Sequence, residues 1–167
     1  YYSRPGIRIF FLCPLQNQYK SDLMAIIIID YGLSNLGSIK RSLEECGADV
    51  FVSNNSEDIK TAERIILPGV GSFADGMKNL TADGWHQAIK KEVLENKIPI
   101  LGICLGMELL ASKGTEGGNN KGLNLIPGVV MPLTPSVKKE RIPHVGWNNV
   151  NHKESNILFK DIPSGKD

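Results

Sequence analysis

The chain has 167 residues, 41% apolar and 22% charged, which suits one ordinary globular domain with a real hydrophobic core. Lys and Arg number 19 against 18 Asp and Glu, a net charge of +1, so there is no electrostatic case for nucleic acid or an anionic membrane. The three cysteines, Cys13, Cys46 and Cys104, form neither a disulfide framework nor a zinc pattern, which points to a reducing cytoplasm and no metal, and no apolar run approaches the ~20 residues that span a bilayer.

Residues 1–23 stand apart from the rest of the chain. An apolar patch at Ile9–Cys13 follows Arg4 and Arg8, but it is too short for the ~7–15 apolar residues of a signal peptide. This stretch is expected to be an extension outside the domain, which then covers residues 24–167. A regular rhythm begins after Met24. Ala25–Ile29 is a β-branched run suited to a parallel strand buried on both faces. Leu36, Ile39, Leu43 and Cys46 recur at helical spacing over Asn35–Cys46, and Gly47 is placed to stop that helix. Val50–Val52 reads as a second strand, Asp58–Glu63 as a short helix capped by Ser56, and Arg64–Leu67 as a third strand ended by Pro68-Gly69-Val70-Gly71. A helix over Trp85–Glu95 and a strand over Ile98–Ile103 come next, then a helix from about Leu105. The alternation predicts an α/β fold, an open and mainly parallel sheet with helices on both faces. After Lys113 the chain is glycine-rich, and short strands near Val129–Leu133 and Val150 are expected to begin an antiparallel extension.

Gly102-Ile103-Cys104-Leu105-Gly106 lies where a strand meets a helix. Flanking glycines permit a sharp turn and a strained central residue, the arrangement of a nucleophile elbow. Cys104 would project above the carboxyl end of the sheet, where open α/β sheets bind ligands, with a helix N-terminus beside it to favour thiolate. A small buried cysteine is the plain alternative. Cys13 and Cys46 lack the glycines and are read as structural.

Four segments occur in a fixed order: Asp30-Tyr-Gly-Leu-Ser-Asn35, Leu67-Pro-Gly-Val-Gly-Ser-Phe73, Gly102-Ile-Cys-Leu-Gly-Met-Glu-Leu-Leu110 and Pro143-His-Val-Gly-Trp-Asn148. Together they resemble the glutaminase subunit of imidazole glycerol phosphate synthase, within the class I, triad-type glutamine amidotransferases, from Met24 to about Pro163. The resemblance implies a flavodoxin-like sheet whose C-terminal strands lie beyond Asp167. It implies that Cys104 attacks the side-chain amide of L-glutamine, forms a glutamyl thioester and releases ammonia. The backbone of Gly69, Val70, Gly71 and Leu105 would hold the oxyanion. Pro143, His144, Gly146, Trp147 and Asn148 would face a (β/α)8-barrel cyclase, forming a heterodimer that consumes the ammonia in histidine biosynthesis. No cofactor is implied.

Two positions depart from the family pattern. Ser34 replaces a usual glycine. Glu108 replaces a usual glutamine one turn after the nucleophile, where a carboxylate could oppose the thiolate or change how the amino-acid end of glutamine is held. The family's catalytic His and Glu lie in an H-P-E segment with no counterpart before Asp167. His152-Lys-Glu154 has the H-x-E spacing but comes too directly after Trp147-Asn148, and neither His86 nor His144 is a convincing base. The chain as written is therefore expected to be a poor glutaminase by itself. Alternatives are a sibling amidotransferase feeding amidino-sugar synthesis for surface polysaccharides, and a catalytically dead docking subunit. An unrelated cysteine hydrolase would not account for Pro143–Asn148.

Overall fold

A computed structural model describes residues 25–134, 142, 145–153, 159 and 162–165. The proposed extension 1–23 therefore lies outside the described residues. The first unit, which ends at Met131, is built on four parallel strands in the order β2-β1-β3-β4. These are β1 (Ile26–Ile29), β2 (Val50–Ser53), β3 (Arg64–Leu67) and β4 (Ile100–Gly102). Ile27 pairs with Ile65, and Leu67 with Gly102. All four residues of β1 are buried, which is why its isoleucines do not alternate with polar residues.

Successive residues of a strand face opposite ways, so each side of the sheet has its own core. Ile27, Ile29, Ile65 and Leu67 belong to the larger cluster, with Phe73, Leu80, Trp85, Ile89, Leu105 and Leu109. These come from α2 (Phe73–Ala82), α3 (Trp85–Leu94) and α4 (Leu105–Leu109). Ile26, Ile28, Val50 and Ile66 form the smaller cluster, against which Leu36, Ile39 and Leu43 of α1 (Leu36–Glu45) pack.

The predicted α/β architecture is present, with three differences in detail. Helix α2 is absent from the sequence-based expectation. Its apolar residues Phe73, Met77 and Leu80 are buried at helical spacing, and its start is capped by Ser72, whose Oγ accepts from the Asp75 N–H at 3.2 Å. The predicted short helix is a 3₁₀ turn over Ser56–Thr61, capped by Asn55 rather than Ser56. The expected antiparallel extension is mixed: β5 (Ala111–Gly114) pairs antiparallel with β6 (Asn120–Lys121) but parallel with β7 (Ile126–Val130). Leu123 and Leu125 hydrogen-bond back to Leu109 and Leu110 and bury their side chains in the larger core. The extension is thereby tied to the elbow helix.

The second unit runs from Pro132. Among its described residues Gly165 N–H donates to the Val150 carbonyl at 2.9 Å, and the ring of His152 stacks on Phe159 at 4.8 Å.

Candidate active site

The strand order reverses direction between β1 and β3, the point at which open α/β sheets form their ligand crevice. Three segments leave the sheet at this carboxyl edge: residues 30–35 after β1, residues 68–71 after β3, and the turn after β4. Cys104 occupies that last turn, solvent-exposed, with φ 54° and ψ −120°. A non-glycine residue at such a φ is held there by its surroundings. Those surroundings are the flanking glycines. A Cβ on Gly102 would lie 2.5 Å from the Met107 Cα, and one on Gly106 would lie 1.8 Å from the Leu67 carbonyl oxygen. The turn closes through Gly106 N–H to the Ile103 carbonyl (3.0 Å) and Met107 N–H to the Cys104 carbonyl (2.9 Å). Helix α4 spans five residues, so the field at Cys104 comes from a few local N–H groups rather than a long helix dipole.

Pro68–Gly71 runs beside the elbow. A Cβ on Gly69 would lie 2.9 Å from the Gly106 nitrogen and 3.0 Å from the Leu105 Cβ. This close approach explains why glycine stands at residue 69. The strip is also tied to the loop after β1: Val70 N–H donates to the Leu33 carbonyl at 2.9 Å, and the Tyr31 hydroxyl donates to the Pro68 carbonyl at 2.8 Å. Val70 N–H is therefore engaged in this conformation, and serving an oxyanion would require exchanging that bond.

A backbone strip pressed against a strained, exposed cysteine is the equipment of acyl transfer. The family model for class-I glutamine amidotransferases matches residues 27–166. The chain belongs to that family. Similar relatives include the imidazole glycerol phosphate synthase subunit HisH of Moorella thermoacetica, 46% identical over 85% of this chain and 66% of that protein. HisH 1 of Campylobacter jejuni strain 81-176 is 42% identical over 85% of this chain and 70% of its own length. HisH of Methanosarcina acetivorans is 46% identical over 84% and 67%. The chain thus spans about two thirds of the length of the curated relatives it matches. A crystal structure from Listeria monocytogenes EGD-e of a protein assigned as a peptidase E shares the fold. Its TM-score is 0.52 at 16% identity, covering 64% of this chain and 66% of that one.

Within this amidotransferase domain, Glu108 comes one helical turn after Cys104 and is partly buried. Desolvation, and then the nearby Glu116, raise its carboxyl above the ordinary carboxylate range. No sequence signal pointed to Glu116. It sits in the loop after β5 and accepts the Phe73 N–H at the start of α2 at 2.8 Å, two residues beyond the end of the strip. Tyr31, Leu33 and Asn79 are further contributors that sequence reasoning missed; the Asp30–Asn35 motif points to their neighbourhood but not to their contacts. Among the described residues, the Ser34 hydroxyl is buried without a hydrogen-bond partner, so the departure from glycine leaves a polar atom unsatisfied.

His86 lies on α3, in an open surface groove with Gln87, Lys90 and Glu95. His152, in the second unit, places Nε2 2.8 Å from the Ile162 carbonyl, while Glu154 lies outside the described residues. Pro143 and His144 also lie outside them. Gly146, Trp147 and Asn148 are exposed in the second unit, Trp147 by 93%. Among the described residues no group of His, Cys, Asp and Glu could hold a metal, and no helix is long and apolar enough to cross a membrane.

Proposed function

We propose that this chain carries the nucleophile half of a glutaminase site that supplies ammonia to an imidazole glycerol phosphate synthase. The observation that supports this most directly is Cys104 at positive φ, exposed, with the Pro68–Gly71 backbone packed against its turn. The Cys104 thiolate adds to the side-chain carbonyl carbon of L-glutamine, and the C=O electron pair moves onto oxygen. N–H groups of Gly69, Gly71 and Leu105, joined by that of Val70 once it leaves the Leu33 carbonyl, hold that oxyanion, a donor in such sites being worth ~3–4 kcal/mol of barrier. Collapse of the adduct expels the amide nitrogen as ammonia once it has gained a proton, leaving a γ-glutamyl thioester. Water opens the thioester to glutamate and frees the thiol. Proton delivery and water activation fall to a histidine oriented by a carboxylate, a role that His86, on the outer surface of α3, does not fill.

The carboxylates of Glu108 and Glu116 give the site a negative flank suited to the α-ammonium group of free glutamine. The ammonia passes to a (β/α)8-barrel cyclase, with Trp147 as an anchor, since a large exposed aromatic is the type of residue that dominates interfaces. The names of the relatives support the histidine-pathway reading over amidino-sugar synthesis.

Competitive labelling tests the assignment. A glutamine-shaped electrophile should modify Cys104 ahead of Cys46 and Cys13, and L-glutamine should protect it. Preferential labelling of Cys46, or absence of protection, would sink the proposal.

A further inference from the structure

Tyr31 is almost wholly buried, with 2% of its surface exposed, yet its polar end is aimed at the site. Its hydroxyl donates to the Pro68 carbonyl at 2.8 Å across 37 residues of sequence. The same hydroxyl lies 2.3 Å from where a Cβ on Gly69 would sit, so it touches the strip at both ends of the Pro68–Gly69 peptide. Tyr31 is itself held at its backbone, because the Asn79 side-chain amide donates to its carbonyl at 3.0 Å. Asn79 belongs to α2, which begins just after the strip. The strip, α2, Asn79 and Tyr31 therefore form a closed ring of contacts that returns to Pro68. Burial, and then the neighbouring Cys104, keep the phenol protonated far above neutral pH, so it remains a donor when Cys104 is ionised.

We propose that Tyr31 is a positioning residue for the oxyanion strip, its buried hydroxyl fixing the Pro68 carbonyl and the close-packed Gly69 beside the Cys104 elbow. A peptide unit is planar, so holding the Pro68 carbonyl sets the direction of the Gly69 N–H on the other side of the same bond. Gly69 serves this contact as well, since any side chain there would displace the hydroxyl. The inference rests on the glutaminase reading and adds to it the residue that orients the oxyanion donors. Tyr31 does not touch the substrate.

The test compares two reagents on the full chain, at a pH where the thiol ionises. A chloromethyl ketone of glutamine shape reacts through a carbonyl that the oxyanion donors must polarise. Iodoacetamide needs only an accessible thiolate. Tyr31→Phe keeps the ring in the core and removes only the hydroxyl. It should slow ketone labelling of Cys104 by ~10-fold or more, as expected when a pre-organised group is misplaced, and change iodoacetamide labelling less than ~2-fold. Gly69→Ala should slow ketone labelling at least as much, because its Cβ meets the hydroxyl and also presses on the elbow at the Gly106 nitrogen, and the double variant should lose less than the sum of the two single losses, because they share the Tyr31 contact. If Tyr31→Phe does not fold, Asn79→Ala, which releases the Tyr31 carbonyl without touching the elbow, decides by the same ratio. Equal losses to both reagents, or an unchanged ketone rate, overturn the inference. A wild-type chain whose Cys104 glutamine does not protect from the ketone overturns the glutaminase reading and this inference with it, an outcome separable by needing no variant.

Discussion

The two sides of the sheet are filled in different ways. On the side that carries α2, α3 and α4, Phe73, Leu80, Trp85, Ile89, Leu105 and Leu109 are all essentially inaccessible to solvent. On the other side α1 contributes no fully buried residue, and Leu36, Ile39 and Leu43 pack only partly covered. Cys104 is attached to the first side through Leu105, so the strained residue stands on the more fully buried of the two sides. Backbone strain of ~1–3 kcal/mol persists only where the surroundings over-determine it. The α1 side has no comparable task, and its packing can be looser without affecting the elbow.

Paired glycine substitutions give the largest contrast. Gly106→Ala would drive a Cβ to 1.8 Å from the Leu67 carbonyl, a backbone clash that no rotamer relieves. It should cost ~3 kcal/mol or more and abolish labelling of Cys104. Gly37→Ala on α1 meets nothing within 4 Å. It should raise stability by about 0.5 kcal/mol, because glycine is a poor helix residue. Urea melts of both variants measure the difference, and a neutral Gly106→Ala would show that the elbow is not braced as described.

Side-chain truncation gives the next contrast. Leu109→Ala opens a cavity in the larger core and should cost ~2–5 kcal/mol. Leu43→Ala removes a half-covered side chain from α1 and should cost under about 1.5 kcal/mol. Equal losses would show that the two sides are equally packed.

The same contrast accounts for what is legible in the sequence. β1 is plain because four consecutive isoleucines have few other uses, and the elbow is plain because two glycines bracket one cysteine. Helix α2 is hidden because Gly76 and Asn79 interrupt its apolar face. Both have tertiary reasons: Gly76 lets Leu109 approach to 3.0 Å of its would-be Cβ, and Asn79 holds Tyr31. The parallel pairing of β5 with β7 is hidden because it depends on Leu123 and Leu125 anchoring the intervening loop in the core. The Tyr31–Pro68 and Leu33–Val70 contacts join segments far apart in sequence, and no local pattern announces them.

A smaller effect separates the function of the elbow from its stability. Cys104 is exposed and at φ 54°, so its side chain adds little packing while its Cβ opposes the backbone. Cys104→Gly should raise stability by ~1 kcal/mol, read by thermal or urea unfolding, while removing all site-directed labelling. A destabilised Cys104→Gly variant would mean that the thiol makes a stabilising contact.

The smallest effect concerns Glu108, at the edge between the dense core and solvent. Its carboxyl is raised from an ordinary value of 4.5, first by desolvation and then by Glu116. The folded state therefore holds the Glu108 proton more tightly than the unfolded chain does. As pH rises from the unfolded value through the raised folded one, folding increasingly requires either taking up a proton or placing a bare carboxylate in a desolvated site beside Glu116, and stability falls across that window. Above it the penalty is constant. Glu108→Gln removes the ionisation, so the variant should equal wild type below the window and be slightly more stable above it. Glu108 is only partly buried, so solvent still screens the interaction and keeps the gain under about 1 kcal/mol. The readout is the difference in urea midpoint between variant and wild type, tracked from acid to neutral pH. A difference that shrinks as pH rises would reverse the sign and place a cation, rather than Glu116, beside Glu108. L-glutamine sharpens the result. If the Glu108 carboxylate receives the α-ammonium group, saturating glutamine should stabilise wild type more than Glu108→Gln at neutral pH, since ligand bound only by the folded state adds to its stability in proportion to affinity.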